Sequence, residues 1–237
     1  MDKIAVNRFV AKEFQTTEAI KTLRSNILFS GAEVRSIALT SFTAQEGKST
    51  LSFQVAASLA QTGRKVLLMD ADLRKSILAN RLRVKGKVTG LSHVLSGLCN
   101  VKEALCETDV PGLYIMFAGA RVPNAAELLG TRSYKKLIAA LEETFDYVIV
   151  DAPPLGLVID CAVIAPVLDG VLMVVDTSRN SYKLERRVKA QLEKSGGRIL
   201  GVVLNRVDTR DKGGYYGKAY GYGGYGYGGY GADSDSQ

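Results

Sequence analysis

Predominantly apolar runs alternate with amphipathic stretches along most of the chain. Apolar runs of this kind predict buried strands, and they lie at residues 37–40, 66–69, 113–119, 145–154, 170–176 and 199–207. Patterns typical of helices lie at residues 12–30, 51–60, 90–97, 133–144 and 182–195, and residues 121–129 form a loop that enters a helix. Strands that alternate with helices over this length predict an α/β fold, with a mostly parallel sheet and helices on both faces.

The stretch from Ser36 to Ala60 carries the first candidate chemistry. A predicted strand leads into a short polar loop, which ends in Gly47-Lys48-Ser49-Thr50 and opens onto a helix. Backbone N–H groups and the helix dipole favour an anion at such a helix start. Lys48 is predicted to reach the β and γ phosphates of a nucleotide, and the Ser49 hydroxyl to coordinate Mg²⁺. The first glycine of the full phosphate-loop pattern is replaced by Phe42, so an ordinary β-turn-α connection is the alternative.

Acidic side chains follow two further predicted strands. Asp70 and Asp72 come directly after one apolar run, and Asp151 closes another ahead of a proline pair. Ligands of parallel sheets bind at the carboxyl ends of the strands, so we expect these carboxylates beside the phosphate loop. Mg²⁺ binds carboxylates and keeps several waters, which predicts a metal site at Ser49, Asp72 and Asp151. Asp70 is left to orient or deprotonate an attacking hydroxyl. Capping of a strand end is the alternative role.

The composition changes abruptly at Lys212. From there to Gly231 the chain is mostly glycine and tyrosine, with almost no aliphatic side chain. Such a segment buries too little surface to offset its ordering entropy, so residues 212–237 are predicted to form a disordered tail. Seven of the eleven tyrosines lie there, at Tyr215, Tyr216, Tyr220, Tyr222, Tyr225, Tyr227 and Tyr230. A low-complexity segment without further function is the alternative.

The bulk composition narrows the class of protein. A chain of 237 residues with 46% hydrophobic residues suits one α/β domain with a tail. Its three cysteines include no CxxC pair, which argues against a disulfide framework and against a zinc or iron–sulfur site. We expect neither a secretory signal nor a membrane span. His93, the only histidine, is expected to be structural or on the surface. The net charge of +7 suits either a solvated basic surface or an acidic partner.

Three segments in combination carry a resemblance: residues 47–50, 66–74 and 147–154. They resemble the Walker A, A′ and B motifs of the bacterial tyrosine kinases, the cytoplasmic kinases of capsule and exopolysaccharide synthesis. Segments 90–97 and 119–129 add further matches, and the resemblance extends from Glu13 to the tail. It implies a P-loop NTPase-like fold, with a tyrosine kinase domain at residues 1–211 and the tyrosine tail at 212–237.

The resemblance also implies roles for single residues and cofactors. The implied catalytic residues are Lys48, Asp70, Asp72, Arg74 and Asp151. The implied nucleotide contacts are Glu46, Gly47, Lys48, Ser49, Thr50, Asn205 and Arg206, with the last two bordering the adenine. ATP and Mg²⁺ are the implied cofactors, and the tail tyrosines are the implied phosphate acceptors. Each phosphotyrosine adds about −1.5 to −2 charge, so graded phosphorylation is predicted to push the tail or the assembly apart.

Assembly is the last property that the resemblance implies. In the family, an E-x-x-R-x-x-R helix supports a ring. Here the predicted oligomerisation helix at residues 13–30 carries Glu18, Lys21 and Arg24, with lysine at the middle position. The implied partners are further copies of the chain in a ring such as an octamer, a transmembrane activator of polysaccharide export, a tyrosine phosphatase and protein substrates, with no nucleic acid. The kinase is then expected in the cytoplasm, recruited to the inner face of the membrane by its activator.

Two other functions remain open at this stage. A ParA/MinD-like ATPase switch shares such a core, but it carries a signature lysine at the position of Thr43 and has no use for the tyrosines. A non-catalytic interaction module would use the basic surface and the aromatic tail to bind its partners. Phosphate on the tail after incubation with Mg·ATP distinguishes the kinase from both.

Overall fold

The chain folds around one seven-stranded sheet. The computed structural model describes residues 3–84, 86, 88–178 and 182–207. The strands are β1 (Ser36–Ser41), β2 (Val66–Asp70), β3 (Leu105–Glu107), β4 (Leu113–Met116), β5 (Tyr147–Asp151), β6 (Gly170–Asp176) and β7 (Ile199–Asn205). Their order is β3-β4-β2-β5-β1-β6-β7, and every neighbouring pair is parallel except β3 with β4. The predicted α/β class with a mostly parallel sheet is confirmed.

Helices cover both faces of this sheet. Among the described residues they are α1 (Phe14–Leu28), α2 (Lys48–Ala60), α3 (Leu78–Arg81), α4 (Leu91–Leu95), α5 (Val101–Ala104), α6 (Ala125–Leu129), α7 (Arg132–Thr144), α8 (Asp160–Ile164) and α9 (Tyr182–Ser195), with short 3-10 turns at Asn7–Phe9 and Ala165–Val167. None of the described helices is long and apolar enough to cross a bilayer.

Alternate residues along the strands pack into two hydrophobic cores, one on each face of the sheet. In β1, Ile37 and Leu39 pack with α1 and α2 on one face, while Ala38 packs with α7, α8 and α9 on the other. Helix α2 is buried at every position except Thr50, because it lies against both the sheet and α1. Helix α7 instead buries one stripe at helical spacing, composed of Tyr134, Leu137, Ile138 and Leu141. The carboxyl ends of the parallel strands therefore meet at one edge between two helical layers.

Short elements escaped the sequence analysis. Strand β3 and helices α3, α5 and α8 span three to five residues, too few for a periodic pattern to emerge. Helix α2 begins at Lys48 rather than at residue 51, because Gly47 is its N-cap. The predicted tail and its seven tyrosines lie outside the described residues.

Candidate active site

The loop between β1 and α2 has the conformation of an anion cradle. Gly47 has φ = 91°, in the left-handed region that favours glycine. A Cβ atom at Gly47 would collide with Nδ2 of Asn205, so a side chain there would force Asn205 to move. Within the described part of the chain no side chain caps the amino end of α2, which leaves its first N–H groups available to a ligand.

Glu46 braces the loop from inside. Its Oε1 atom accepts hydrogen bonds from the backbone N–H of Thr43, at 2.5 Å, and from the Thr43 hydroxyl, at 2.6 Å. The side chain is completely buried, and its Oε2 atom has no hydrogen-bond partner among the described residues. Glu46 was predicted to contact the nucleotide, whereas these contacts fix the shape of the loop that would hold it.

Phe42 explains why this loop lacks the first glycine of the usual pattern. Its ring packs against the core on the α7 side of the sheet, and its backbone approaches Gly156 closely. A Cβ atom at Gly156 would lie 2.3 Å from the Phe42 carbonyl oxygen. Residue 42 is therefore filled by an aromatic ring, and the absence of a side chain at Gly156 makes room for it.

The last strand latches the loop in place. Nδ2 of Asn205 donates to the Glu46 carbonyl oxygen at 2.8 Å, and Nη2 of Arg206 donates to the Gln45 carbonyl oxygen at 3.0 Å. Arg206 also pairs with the buried Asp176 at the end of β6. Although burial acts to raise the pKa of Asp176, hydrogen bonds from Ser178 and Arg206 hold it below its usual value. The predicted adenine contacts, Asn205 and Arg206, thus support the loop backbone in this structure.

Lys48 faces a carboxylate at the centre of the sheet. Its Nζ atom lies 3.8 Å from Oδ1 of Asp151, and both side chains are at least nine-tenths buried. Burial raises the pKa of Asp151, while Lys48 and a hydrogen bond from Ser49 act in the opposite direction. The hydroxyl of Ser52 donates to the same carboxylate at 3.4 Å. The gap of 3.8 Å leaves the Lys48 cation a loose partner that can turn to a phosphate.

Asp70 is the neighbour of Asp151 in the sheet. The two residues are paired in the parallel register of β2 and β5, and Asp70 is 1% exposed. Burial, with the nearby Asp151 carboxylate as the next cause, raises the pKa of Asp70 to about 8. The Ser76 hydroxyl donates to its Oδ2 atom at 2.5 Å, and the Asp72 N–H donates to its Oδ1 atom at 3.0 Å. Two adjacent buried carboxylates form a site that is short of positive charge.

The segment after Asp70 folds back on itself to present Asp72. The carboxylate of Asp72 accepts a hydrogen bond from the Lys75 N–H at 2.9 Å and is half-buried. The loop therefore holds one carboxylate deep in the sheet and a second one nearer to solvent. The predicted convergence of the two with Asp151 at the carboxyl edge agrees with this placement.

Arg74 forms a bidentate ion pair with a buried carboxylate. Its Nε and Nη2 atoms lie 2.7 Å and 3.0 Å from the two carboxylate oxygens of Asp160, which is completely buried. Its Nη1 atom donates to the Pro123 carbonyl oxygen at 2.9 Å. The guanidinium predicted to be catalytic is thus occupied in joining the loop after β2 to α8 and to the segment before α6. This arrangement favours a positioning role, and a direct catalytic role stays a prediction.

The residues present fit a nucleotide with a divalent cation. The uncapped amino end of α2 and Lys48 supply donors and positive charge for phosphates. Burial raises the pKa of both Asp70 and Asp151, and a divalent cation beside them would favour their charged forms. No group of three or more His, Cys, Asp or Glu side chains in the described ranges is arranged to hold a metal by itself. This agrees with Mg²⁺, which binds through one or two carboxylates together with substrate phosphates.

The predicted oligomer residues lie away from this edge, on α1. Glu18 and Lys21 form an exposed ion pair at 2.8 Å. Nη1 of Arg24 donates to the backbone carbonyl and the hydroxyl of Ser58 on α2, both at 3.1 Å. Arg24 therefore serves the packing of α1 on α2 within one chain, and its part in assembly stays a prediction.

Two residues of this region were missed by the sequence analysis. Asp176 ends a buried strand, so the rule that selected Asp70 and Asp151 applies to it equally. Asp160 follows no strand, and its one signal is a lone acid inside the apolar run from Leu157 to Ile164.

The structure also describes two further residues singled out in the sequence. Thr50, predicted to contact nucleotide, is exposed, and its hydroxyl accepts a hydrogen bond from Arg81. His93 is structural as expected, since its Nδ1 atom accepts from the Gly90 N–H at 3.2 Å.

The amino-acid sequence of the chain is similar to those of known tyrosine-protein kinases. The AAA domain family model matches residues 34–189. The tyrosine-protein kinase CpsD of Streptococcus agalactiae is 41% identical over 208 residues, covering 86% of this chain and 91% of that protein. The tyrosine-protein kinase CpsD of Streptococcus pneumoniae is 38% identical over 207 residues, covering 87% and 91%.

Solved structures show the same similarity. The chimerical protein CapA2B2 has a TM-score of 0.77 at 28% identity, covering 87% of this chain and 95% of that one. The kinase domain of the Escherichia coli tyrosine kinase ETK has a TM-score of 0.75 at 31% identity, covering 84% and 80%. The septum site-determining protein MinD of Pyrococcus horikoshii, complexed with Mg-ADP, has a TM-score of 0.62 at 26% identity, covering 74% and 71%.

Proposed function

The chain belongs to the bacterial tyrosine kinases, and from that premise we propose that it transfers the γ-phosphoryl group of ATP to the tyrosines of its own carboxy-terminal tail. As a member of this family it is a protein-tyrosine kinase. The observation that carries the proposal is the adjacency of Asp70 and Asp151 beside Lys48 at one edge of the sheet. Phosphoryl transfer depends mainly on positioning and charge neutralisation, and this edge supplies the groups for both.

Each residue of the edge has a role in this proposal. Lys48 and the N–H groups at the start of α2 bind the phosphates, and Ser49, Asp72 and Asp151 are the residues that would hold Mg²⁺. When bound, Mg·ATP supplies the phosphoryl group and neutralises charge as it moves. Asp70 faces the acceptor hydroxyl and takes its proton. A tyrosine hydroxyl has an ordinary pKa of about 10, so a base whose own pKa lies near 8 is better matched to it than an ordinary carboxylate.

The position of the tail supports self-phosphorylation. Strand β7 ends at Asn205, on the same edge as the phosphate loop that it latches. The chain continues from there into the tail at residues 212–237, the second part of the proposed organisation after a kinase domain at residues 1–211. A glycine-rich segment of 25 residues has a root-mean-square reach of about 25–30 Å. That reach serves the same subunit or a neighbouring one, and we propose transfer between the subunits of a ring.

The proposed context is capsule or exopolysaccharide synthesis and export. In the ring, α1 would carry the intersubunit contacts of Glu18, Lys21 and Arg24. CapA2B2 is a chimerical protein, which supports the association of such a kinase domain with a second polypeptide. In this proposal that second polypeptide is a transmembrane activator, which would recruit the chain to the inner face of the membrane. A tyrosine phosphatase would reset the tail, and further protein substrates would share the site.

A MinD-like ATPase switch is the second candidate. It is favoured by the similarity to MinD, which extends over three-quarters of this chain at a lower TM-score than that of the kinase domains. Its signature lysine is replaced by Thr43, whose N–H and hydroxyl are both engaged by Glu46. A residue so held inside the loop is not available to reach into a partner subunit.

The test is tail phosphorylation by the full chain. After incubation with Mg·ATP, intact and peptide mass spectrometry should find phosphate on residues between Tyr215 and Tyr230, and Lys48→Met should remove it. ADP release without tail phosphate would point to the switch, and neither product to a binding module. The assay is run with and without the cytoplasmic segment of a candidate activator, because an inactive chain alone does not separate the three.

A further inference from the structure

A basic pocket lies beside the proposed acceptor position, on the side of Asp70 away from the phosphate loop. It has a volume of about 260 Å³ and is lined by the segment Leu73–Ser76 together with Ala118, Gly119 and Arg121. The Ser76 hydroxyl on its wall donates to Asp70 at 2.5 Å. The pocket therefore begins within one hydrogen bond of the carboxylate that faces the acceptor hydroxyl.

The two walls of the pocket are fixed to each other. The Val122 N–H donates to the Leu73 carbonyl oxygen at 3.1 Å, and Arg74 spans from Asp160 to the Pro123 carbonyl oxygen. These contacts set the strand-end segment after β4 against the loop after β2. The opening between them is thus a property of the folded backbone and not only of long side chains.

The charge of the pocket is positive. Of its three cations, Arg74 is neutralised by Asp160, while Lys75 and Arg121 are exposed and form no ion pair with any described residue. Asp72 and Glu127 are the further carboxylates that act on Arg74, and Asp72 is a proposed ligand of Mg²⁺. Two uncompensated cations at the mouth favour an anionic group.

We propose that this pocket binds the phosphate of a tail tyrosine that is already phosphorylated, while a neighbouring tail tyrosine lies at Asp70. This inference rests on the proposed self-phosphorylation and specifies its substrate. The best substrate is then not the bare tail but a tail that already carries phosphate. Each transfer creates the group that helps to place the next tyrosine.

The tail sequence supplies the argument for phosphate over a carboxylate. No Asp or Glu occurs between Asp211 and Asp233, so phosphotyrosine is the one anionic side chain that this stretch can present. From Tyr220 to Tyr230 the tyrosines are spaced by two and three residues in turn. An extended chain spans about 7 Å over two residues and about 10 Å over three, which matches neighbouring sites on one surface. The intervening glycines carry no side chains that would obstruct the approach.

The full chain and its double variant Lys75→Ala/Arg121→Ala are compared by intact mass spectrometry during self-phosphorylation. For the wild type we expect unmodified and heavily phosphorylated chains to coexist, with few intermediates. The double variant should make its first phosphate at an unchanged rate, and later phosphates about tenfold more slowly, since it loses two exposed charged contacts that are each worth about a few-fold in binding. The matched control is Lys135→Ala/Lys136→Ala, which removes two exposed cations from α7 and should behave as the wild type.

A synthetic peptide of residues 219–228 provides a second readout that does not depend on the ring. With phosphate on Tyr225, the peptide should be modified at Tyr222 about tenfold faster than the unphosphorylated peptide by the wild type, and at equal rates by the double variant. Equal rates for both peptides with the wild type would overturn the inference. So would a statistical distribution of phosphate numbers in a wild type that does phosphorylate its tail. The absence of any tail phosphate in every variant, with the activator's cytoplasmic segment present, would instead contradict the proposed function itself.

Discussion

Two buried aspartates of this fold each face a cation, and the two pairs differ in every other respect. Asp151 and Lys48 lie 3.8 Å apart, and neither is more than a tenth exposed. Asp160 and Arg74 are joined by two hydrogen bonds at 2.7 Å and 3.0 Å, with Arg74 about a third exposed. The first pair lies at the predicted phosphate site, and the second lies behind the loop that carries Asp70 and Asp72.

The difference separates binding from positioning. Desolvating two charges costs several kcal/mol per ion and is offset only by close and complete contacts. Arg74 and Asp160 have such contacts, so that pair holds its loop in place. Lys48 and Asp151 do not, and a pair left at 3.8 Å keeps its unmet interactions for a ligand. In the proposed mechanism the loose pair is therefore the one that binds the phosphates, and the tight pair holds the loop that carries Asp70 and Asp72.

The largest expected effect on activity comes from removing the cation of the loose pair. Lys48→Met should lower the rate of tail phosphorylation by about a thousandfold, because it removes a charge that the transition state needs in a buried site. Its thermal stability should change little, since the contact it loses is long. Rate and melting temperature are measured on the same preparation. A variant that melts far below the wild type would show that the loose pair is structural after all.

The tight pair should respond to mutation in the opposite way. Arg74→Gln leaves Asp160 buried without a partner and should cost about 3–5 kcal/mol of stability. Asp160→Asn should cost less, because Arg74 can turn to solvent. The double variant Arg74→Gln/Asp160→Asn should regain part of the loss, which denaturant unfolding measures as a coupling energy. Additive losses from the two single variants would contradict the assignment of this pair as a structural clamp.

Asp70 extends the comparison, because it is a buried carboxylate that forms no ion pair with any residue the structure describes. Its folded pKa of about 8 lies above the ordinary value, so the folded protein binds an extra proton between about pH 4 and pH 8. The stability contributed by that proton is complete below pH 4 and is lost as the pH rises through 8. Without divalent cations, the melting temperature of Asp70→Asn should therefore fall less with rising pH than that of the wild type. If the melting temperatures of the two proteins changed equally between pH 5 and pH 9, the raised pKa of Asp70 would be refuted.

The smallest expected effect concerns the backbone of the phosphate loop. Gln45 has φ = 66°, a conformation that costs a residue other than glycine about 1 kcal/mol. Gln45→Gly should leave the melting temperature unchanged or raise it by about 2–4 °C, since relief of strain competes with a more flexible unfolded chain. Gln61→Gly is the control, because Gln61 has ordinary helical angles and glycine there should lower the melting temperature.

The sheet and its charged edge could be predicted from the sequence, but the contacts that hold the site loops in place could not. Asp70, Asp72 and Asp151 could be placed because each follows an apolar run and parallel strands end at one edge. The contacts of Arg74 with Asp160 and of Arg206 with Gln45 join residues 86 and 161 positions apart, and no local pattern encodes such a pairing. The contact of Glu46 with Thr43 could not be predicted either, since it depends on how a three-residue turn closes. Its contact with the nucleotide stays a prediction.

The phosphate loop is held by Asn205 and Arg206, which are synthesised long after the loop itself. Residues near position 45 leave the ribosome early, whereas the two side chains that hold them belong to the last strand and the residue after it. A nascent chain that ends before Asn205 has a loop with no latch. If the proposed self-phosphorylation holds, the loop that would bind ATP gains its last supports from the segment that leads directly into the tail.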